Sequence, residues 1–119
     1  MAGSVLVIDD YAKFRTLARS MLTACGLIVV GEAEGVAAGS AAAAELKPDA
    51  ALVDVMLPDG DGSGTRRELA ALPWEPRVLI TSSTADAAAR DEVAASGAVG
   101  FVRNDELPGA PLDRLLGDA

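Results

Sequence analysis

Three aspartates carry most of the chemistry this sequence offers. Asp9 and Asp10 follow the apolar run at 5–8, and Asp54 stands near the end of a second run at 50–55. If those runs are neighbouring strands, the acids meet in space. Clustered carboxylates repel, and some take up protons unless a cation joins them. Magnesium suits such a place, because it takes oxygen ligands from one or two carboxylates and from water. Beside an aspartate it supports phosphoryl transfer by neutralising charge on the transferring group. Asp54 would then be the nucleophile and would become an aspartyl phosphate. A hydroxyl from Thr81 or Ser82, ending a further apolar run, could hydrogen-bond the phosphoryl oxygens.

Composition narrows the alternatives. The 119 residues contain no histidine and one cysteine, Cys25. Histidine-based triads, histidine general bases and His- or Cys-rich zinc sites are therefore excluded, as is an internal disulfide. Ten basic against eighteen acidic residues give a net charge of −8. Such a chain repels phosphate backbones, so direct nucleic-acid binding is not expected. No apolar run approaches a membrane span, and the run at 5–8 lacks the basic leader of a signal peptide. With a lone thiol, this predicts a cytoplasmic protein with no membrane contact.

The elements that would position the acids follow from periodicity. Runs at 5–8, 27–30, 50–55, 77–81 and 99–102 are short, apolar and β-branched, and read as buried strands. Between them, 11–24 carries Phe14, Leu17, Ala18, Met21 and Leu22 on one helical stripe, with Gly26 as its stop. The Ala-rich stretch 36–46 reads as a helix despite Gly39, and Pro48 closes it. Helices are also expected at 65–72, at 85–95 and from 112 onward, while 57–64 is a cluster of turn residues. Strands alternating with helices predict an α/β fold, a parallel sheet covered on both faces. Ligands in such sheets bind beyond the carboxyl ends of the strands. Asp9, Asp10, Asp54, Thr81, Ser82, Arg103 and Asn104 all fall there.

Four segments taken in order resemble a known family. They are Val-Leu-Val-Ile-Asp9-Asp10, Leu-Val-Asp54-Val-Met-Leu-Pro58-Asp-Gly-Asp61-Gly62, Val-Leu-Ile-Thr-Ser82 and Gly97-Ala-Val-Gly-Phe101-Val-Arg-Asn104. Together they look like the receiver domain of two-component response regulators, over nearly the whole chain, so that 1–119 is expected to be one receiver domain. The resemblance implies a flavodoxin-like three-layer sandwich, a five-stranded parallel sheet of order 2-1-3-4-5 with five helices. It implies Mg2+ held by Asp10, Asp54 and the backbone carbonyl of Met56, with Asp9 acting mostly through a coordinated water. Asp54 would accept phosphoryl from a sensor histidine kinase or a small phosphodonor. Ser82 matches the switch hydroxyl and Phe101 the switch aromatic. The run from Gly100 to Leu107 is most similar to regulators that carry a helix-turn-helix, DNA-binding output domain, which is absent from this chain. Homodimers through the fourth or fifth helix are common in the family. The domain would be a signalling acceptor rather than an enzyme.

One position departs from the family. Where it places a lysine against the phosphoryl group, this sequence has Asn104, and no lysine follows Lys47. Arg103 shares strand parity with Phe101, which the family places on the outer face, so it is a poor substitute. Asn104 can donate a hydrogen bond but no charge, and a charge-assisted bond is about twice as strong as a neutral one. The phosphorylated state should thus lose roughly 1–2 kcal/mol, with switching weakened. The alternative is a phosphorylation-independent pseudo-receiver, an interaction module governed by a partner.

Plainer readings of the same residues exist. Asp9 and Asp10 could cap the first helix. Ser82 could be a cap within the hydroxyl run 81–84, and Phe101 ordinary packing. Cys25 reads as a small buried residue at a helix end. The run 59–64 opens like a calcium loop, but its twelfth position is Ala70, so calcium is disfavoured. A magnesium-dependent phosphohydrolase of the haloacid-dehalogenase type would need a second aspartate where Met56 stands.

Overall fold

The computed structural model describes residues 3–54, 56–57, 60–61, 77–82, 100–103, 109, 112 and 116, with the backbone alone at 56–57, 60–61, 82 and 100–101. Five strands form one parallel sheet: β1 (Ser4–Ile8), β2 (Ile28–Ala33), β3 (Ala50–Asp54), β4 (Arg77–Ser82) and β5 (Gly100–Arg103). Their order is β2-β1-β3-β4-β5. The strand order therefore reverses between β1 and β3, and the carboxyl ends of strands at such a reversal are where sheets of this kind bind ligands. The fold is the expected α/β, flavodoxin-like one.

The two sheet faces bury different sets. Val5, Val7, Ala50, Leu52 and Leu79 pack with Phe14, Ala18 and Leu22 of α1 (Ala12–Ala24) and with Leu112 and Leu116. Leu6, Ile8, Ala51, Val53, Val78 and Ile80 pack on the other face, with Ala43 of α2 (Val36–Leu46). Continuous apolar strands are what burial on both faces requires.

α1 corrects two expectations. Leu17 is 53% exposed rather than part of the buried stripe. At 100° per residue the buried trio Phe14, Ala18 and Leu22 is centred on Ala18, and Leu17 lies 100° off that centre. Cys25 is exposed, not buried. It is the C-cap, where the chain leaves the core. Gly26 follows at φ +85° and donates to the Thr23 carbonyl at 3.0 Å, while Leu27 donates to Leu22 at 3.0 Å. This Schellman closure brings Leu27 back against Leu22, and the apolar contact is made there.

α2 matches the sequence reading, and Gly39 explains how it seats. A methyl group at Gly39 would stand 2.7 Å from Ile8 Cδ1. Glycine at that point lets α2 lie close over the end of β1, directly before the acids.

β2 runs three residues further than its apolar run, to Ala33. Its pairing with β1 slips between Val5↔Val29 and Leu6↔Gly31, leaving Val30 as an extra residue. Beyond this bulge Glu32 pairs with Val7 and Ala33 with Ile8. A one-residue slip exchanges faces, so the bulge puts Glu32 on the α1 side. The turn-rich segment also contains an unforeseen two-residue hairpin, Met56–Leu57 antiparallel to Gly60–Asp61. The helices expected at 65–72 and 85–95 lie outside the described residues. Leu112 and Leu116 are helical and buried.

Candidate metal and phosphoacceptor site

β1 and β3 lie side by side, with Ile8 paired to Val53. The next residues are therefore neighbours, and the sheet delivers Asp9, Asp10 and Asp54 to one place. One carboxylate oxygen from each lies within 4.8 Å of the others. Asp9 is buried, Asp54 half-buried and Asp10 exposed. The donor set is oxygen only, and it faces solvent on one side.

Asp9 is held on several atoms. Its N–H donates to the Ala33 carbonyl at 3.0 Å. Its Oδ1 accepts the Tyr11 N–H at 2.8 Å. Its carbonyl accepts Arg15 Nη1 at 2.6 Å. Oδ2 is buried and has no hydrogen-bond partner. Burial pushes the Asp9 carboxyl above the ordinary carboxylate value, and the charge of Asp10 adds to this; the Tyr11 N–H and Arg15 oppose it. A buried carboxylate oxygen without a partner is costly unless a proton or a cation reaches it. This arrangement fits a hard divalent cation with oxygen ligands.

Neither aspartate caps α1. The N-cap is Tyr11, with no side-chain cap bond. Asp9 closes the turn before the helix through Tyr11 instead, a local role that occupies only one of its oxygens.

The other strand ends complete the frame. Asp54 pairs in register with Thr81. Thr81 is fully buried, and its Oγ1 donates to the Val53 carbonyl at 3.5 Å. Ser82 ends β4 and pairs with Arg103, while Phe101 pairs with Ile80. Met56 opens the hairpin strand two residues beyond Asp54. Asn104 lies outside the described residues.

Sequence reasoning missed Arg15 and Glu32. Arg15 Nε meets Glu32 Oε1 at 3.2 Å, and Arg19 Nη2 meets Glu32 Oε2 at 2.7 Å. Arginine at 15 and 19 on one helix is a visible signal. Its partner was hidden, because the apolar run of β2 ends before Glu32 and the bulge reverses its face.

A family model described as the response regulator receiver domain matches residues 5–107. The chain belongs to that family. The receiver is 40% identical to a DNA-binding transcriptional activator, DevR/DosR of Mycobacterium tuberculosis, over 96% of this chain and 52% of that protein. It is 40% identical to a protein-glutamate methylesterase/protein-glutamine glutaminase of Myxococcus xanthus, over 69% of this chain and 24% of that protein. Among solved structures, the signal receiver domain of NarL from Mycobacterium tuberculosis superposes with a TM-score of 0.83 at 30% identity, covering 96% of each chain. The chain thus spans about half the length of the first curated relative and about a quarter of the second. It is a signalling receiver domain of a two-component response regulator. Among its described residues no helix is long and apolar enough to cross a membrane.

Proposed function

We propose that this receiver, one domain over 1–119, takes a phosphoryl group on Asp54 in a Mg2+-dependent reaction. The observation that carries this reading is the trio Asp9, Asp10 and Asp54, gathered within 4.8 Å with a buried, partnerless Asp9 oxygen. In the proposed step an Asp54 carboxylate oxygen attacks phosphorus. The O–P bond forms as the donor's P–N or P–O bond breaks, and the leaving group departs with that electron pair. Mg2+, when bound, offsets the charge that builds up between Asp54 and the phosphoryl oxygens. Asp10, Asp54 and the Met56 carbonyl would hold it, with Asp9 contributing through water.

Ser82 then accepts the role of switch hydroxyl, and Phe101 that of switch aromatic. Thr81 supports this choice, because its own hydroxyl is turned to the Val53 carbonyl. Asn104 replaces a charged contact with a neutral one, so phosphorylation shifts the active population less than in a receiver with lysine there. The donor would be a sensor histidine kinase or a small phosphodonor. The output would be a DNA-binding domain like that of the transcriptional relative, acting in the cytoplasm. Asn104 also favours a second reading, a phosphorylation-independent receiver that works by binding a partner.

Intact mass spectrometry after incubation with Mg2+ and acetyl phosphate separates the two. One added phosphoryl group in the parent, and none in Asp54→Asn, is the expected result. No addition in either chain would leave the binding-module reading in its place.

A further inference from the structure

We infer that Arg15 is a positioning residue for the metal site, bracing the Asp9–Asp10 peptide against Glu32 on the neighbouring strand. The inference rests on the Mg2+ reading above and deepens it.

Three elements converge on this side chain. Arg15 belongs to α1, the carbonyl it binds is that of Asp9 directly after β1, and Glu32 belongs to β2. The Arg15 side chain is only 18% exposed, and its planar guanidinium fork can serve both acceptors at once. Asp9 Oδ1 is already tied to Tyr11 and its N–H to Ala33. With the carbonyl fixed by Arg15, little freedom remains in how the Asp9 carboxylate is set beside Asp10 and Asp54. The same peptide sets where Asp10 begins, and Asp10 is exposed, with less packing to hold it.

The charge of Arg15 works the other way. A guanidinium near a cation site repels the cation. Glu32 offsets that, so the pair supplies geometry at small electrostatic cost. The bulge at Val30 is what makes this possible, because only the slipped register sets Glu32 on the α1 face. Arg19 provides an internal control. It binds the same Glu32 carboxylate, at 2.7 and 3.0 Å, and is no partner of Asp9.

Positioning and bare charge predict opposite signs. Titration calorimetry of Mg2+ into the full chain reads them directly. Arg15→Ala should weaken Mg2+ binding by about tenfold, the usual scale for a residue that orients a metal ligand. Arg15→Lys keeps the charge but cannot span both acceptors. It should recover part of that loss, and it remains informative if Arg15→Ala folds poorly. Arg19→Ala should stay within about twofold of the parent. Unchanged or tighter binding in Arg15→Ala, or in Arg15→Lys if only that variant folds, would overturn the inference. So would equal weakening in Arg15→Ala and Arg19→Ala, which would mean a general loosening of the α1–β2 edge. A parent that binds no Mg2+ would instead overturn the metal reading itself.

Discussion

The two ends of the sheet hold acids in opposite conditions. At the amino end, Asp49 is exposed and satisfied. Its Oδ2 accepts the Ser4 N–H at 3.1 Å and the Ser4 hydroxyl at 3.2 Å, and its own N–H donates to Ser4 Oγ at 2.9 Å. Its carbonyl takes the Arg77 N–H at 3.0 Å. One residue thereby pins the starts of β1, β3 and β4. At the carboxyl end the acids crowd together, and a buried oxygen of Asp9 lacks a partner. The same strands thus carry a staple at one end and a stored cost at the other. A fold built only for stability would have no reason to differ so. The cost falls at the end where the proposed Mg2+ would bind.

Substitutions at the two ends should separate these roles. The largest effect is expected from Gly39→Val, whose side chain would drive into Ile8 beneath the acids. Overpacking of this kind costs about 2–3 kcal/mol, and chemical denaturation should read it. Asp49→Ala removes the side-chain half of the staple, the two bonds from Ser4 to Oδ2, and should cost about 1 kcal/mol. Mg2+ affinity, measured in parallel, should not move.

Asp9→Asn should do the reverse. Asparagine keeps the acceptor for Tyr11 and removes a buried charge, so the metal-free chain gains about 1 kcal/mol at neutral pH while Mg2+ binding weakens. The sign follows from the raised Asp9 value. The folded chain holds that proton more tightly than the unfolded one, so the Asp9 contribution favours folding at acid pH and is lost as pH rises through the folded-state value. The advantage of Asp9→Asn should therefore shrink on acidification, as denaturation curves across pH would record. The smallest effect belongs to Lys47→Gly. Lys47 ends α2 at φ +50°, and relieving that left-handed backbone should add some tenths of a kcal/mol, up to about 1, seen as a slightly higher Tm.

What the sequence made legible tracks how local its causes are. The strand runs and α2 could be read because continuous apolar stretches and an Ala-rich helix declare themselves within a few residues. The acid trio could be read because strand ends are where such sheets bind. Leu17 and Cys25 were misjudged because helical spacing alone does not centre the buried stripe or tell which way the chain exits. β2 was cut short at the point where Gly31 and Glu32 interrupt its apolar pattern. The Arg15–Glu32 bridge depends on a bulge, and a bulge is a property of two strands together. The site roles of Ser82, Phe101 and Asn104 rest on the family pattern, as strand-end positions alone do not assign them.

The contrast between the two ends reduces to one measurement, thermal unfolding at neutral pH with and without Mg2+. Parent, Asp9→Asn and Asp49→Ala would run together. A ligand that binds only the folded chain stabilises it by RT ln(1 + [L]/Kd). Tm should therefore rise with Mg2+ in the parent, rise equally in Asp49→Ala from a lower start, and rise less in Asp9→Asn from a higher one. A parent whose Tm ignores Mg2+, or an Asp9→Asn chain less stable than the parent without metal, would contradict the account.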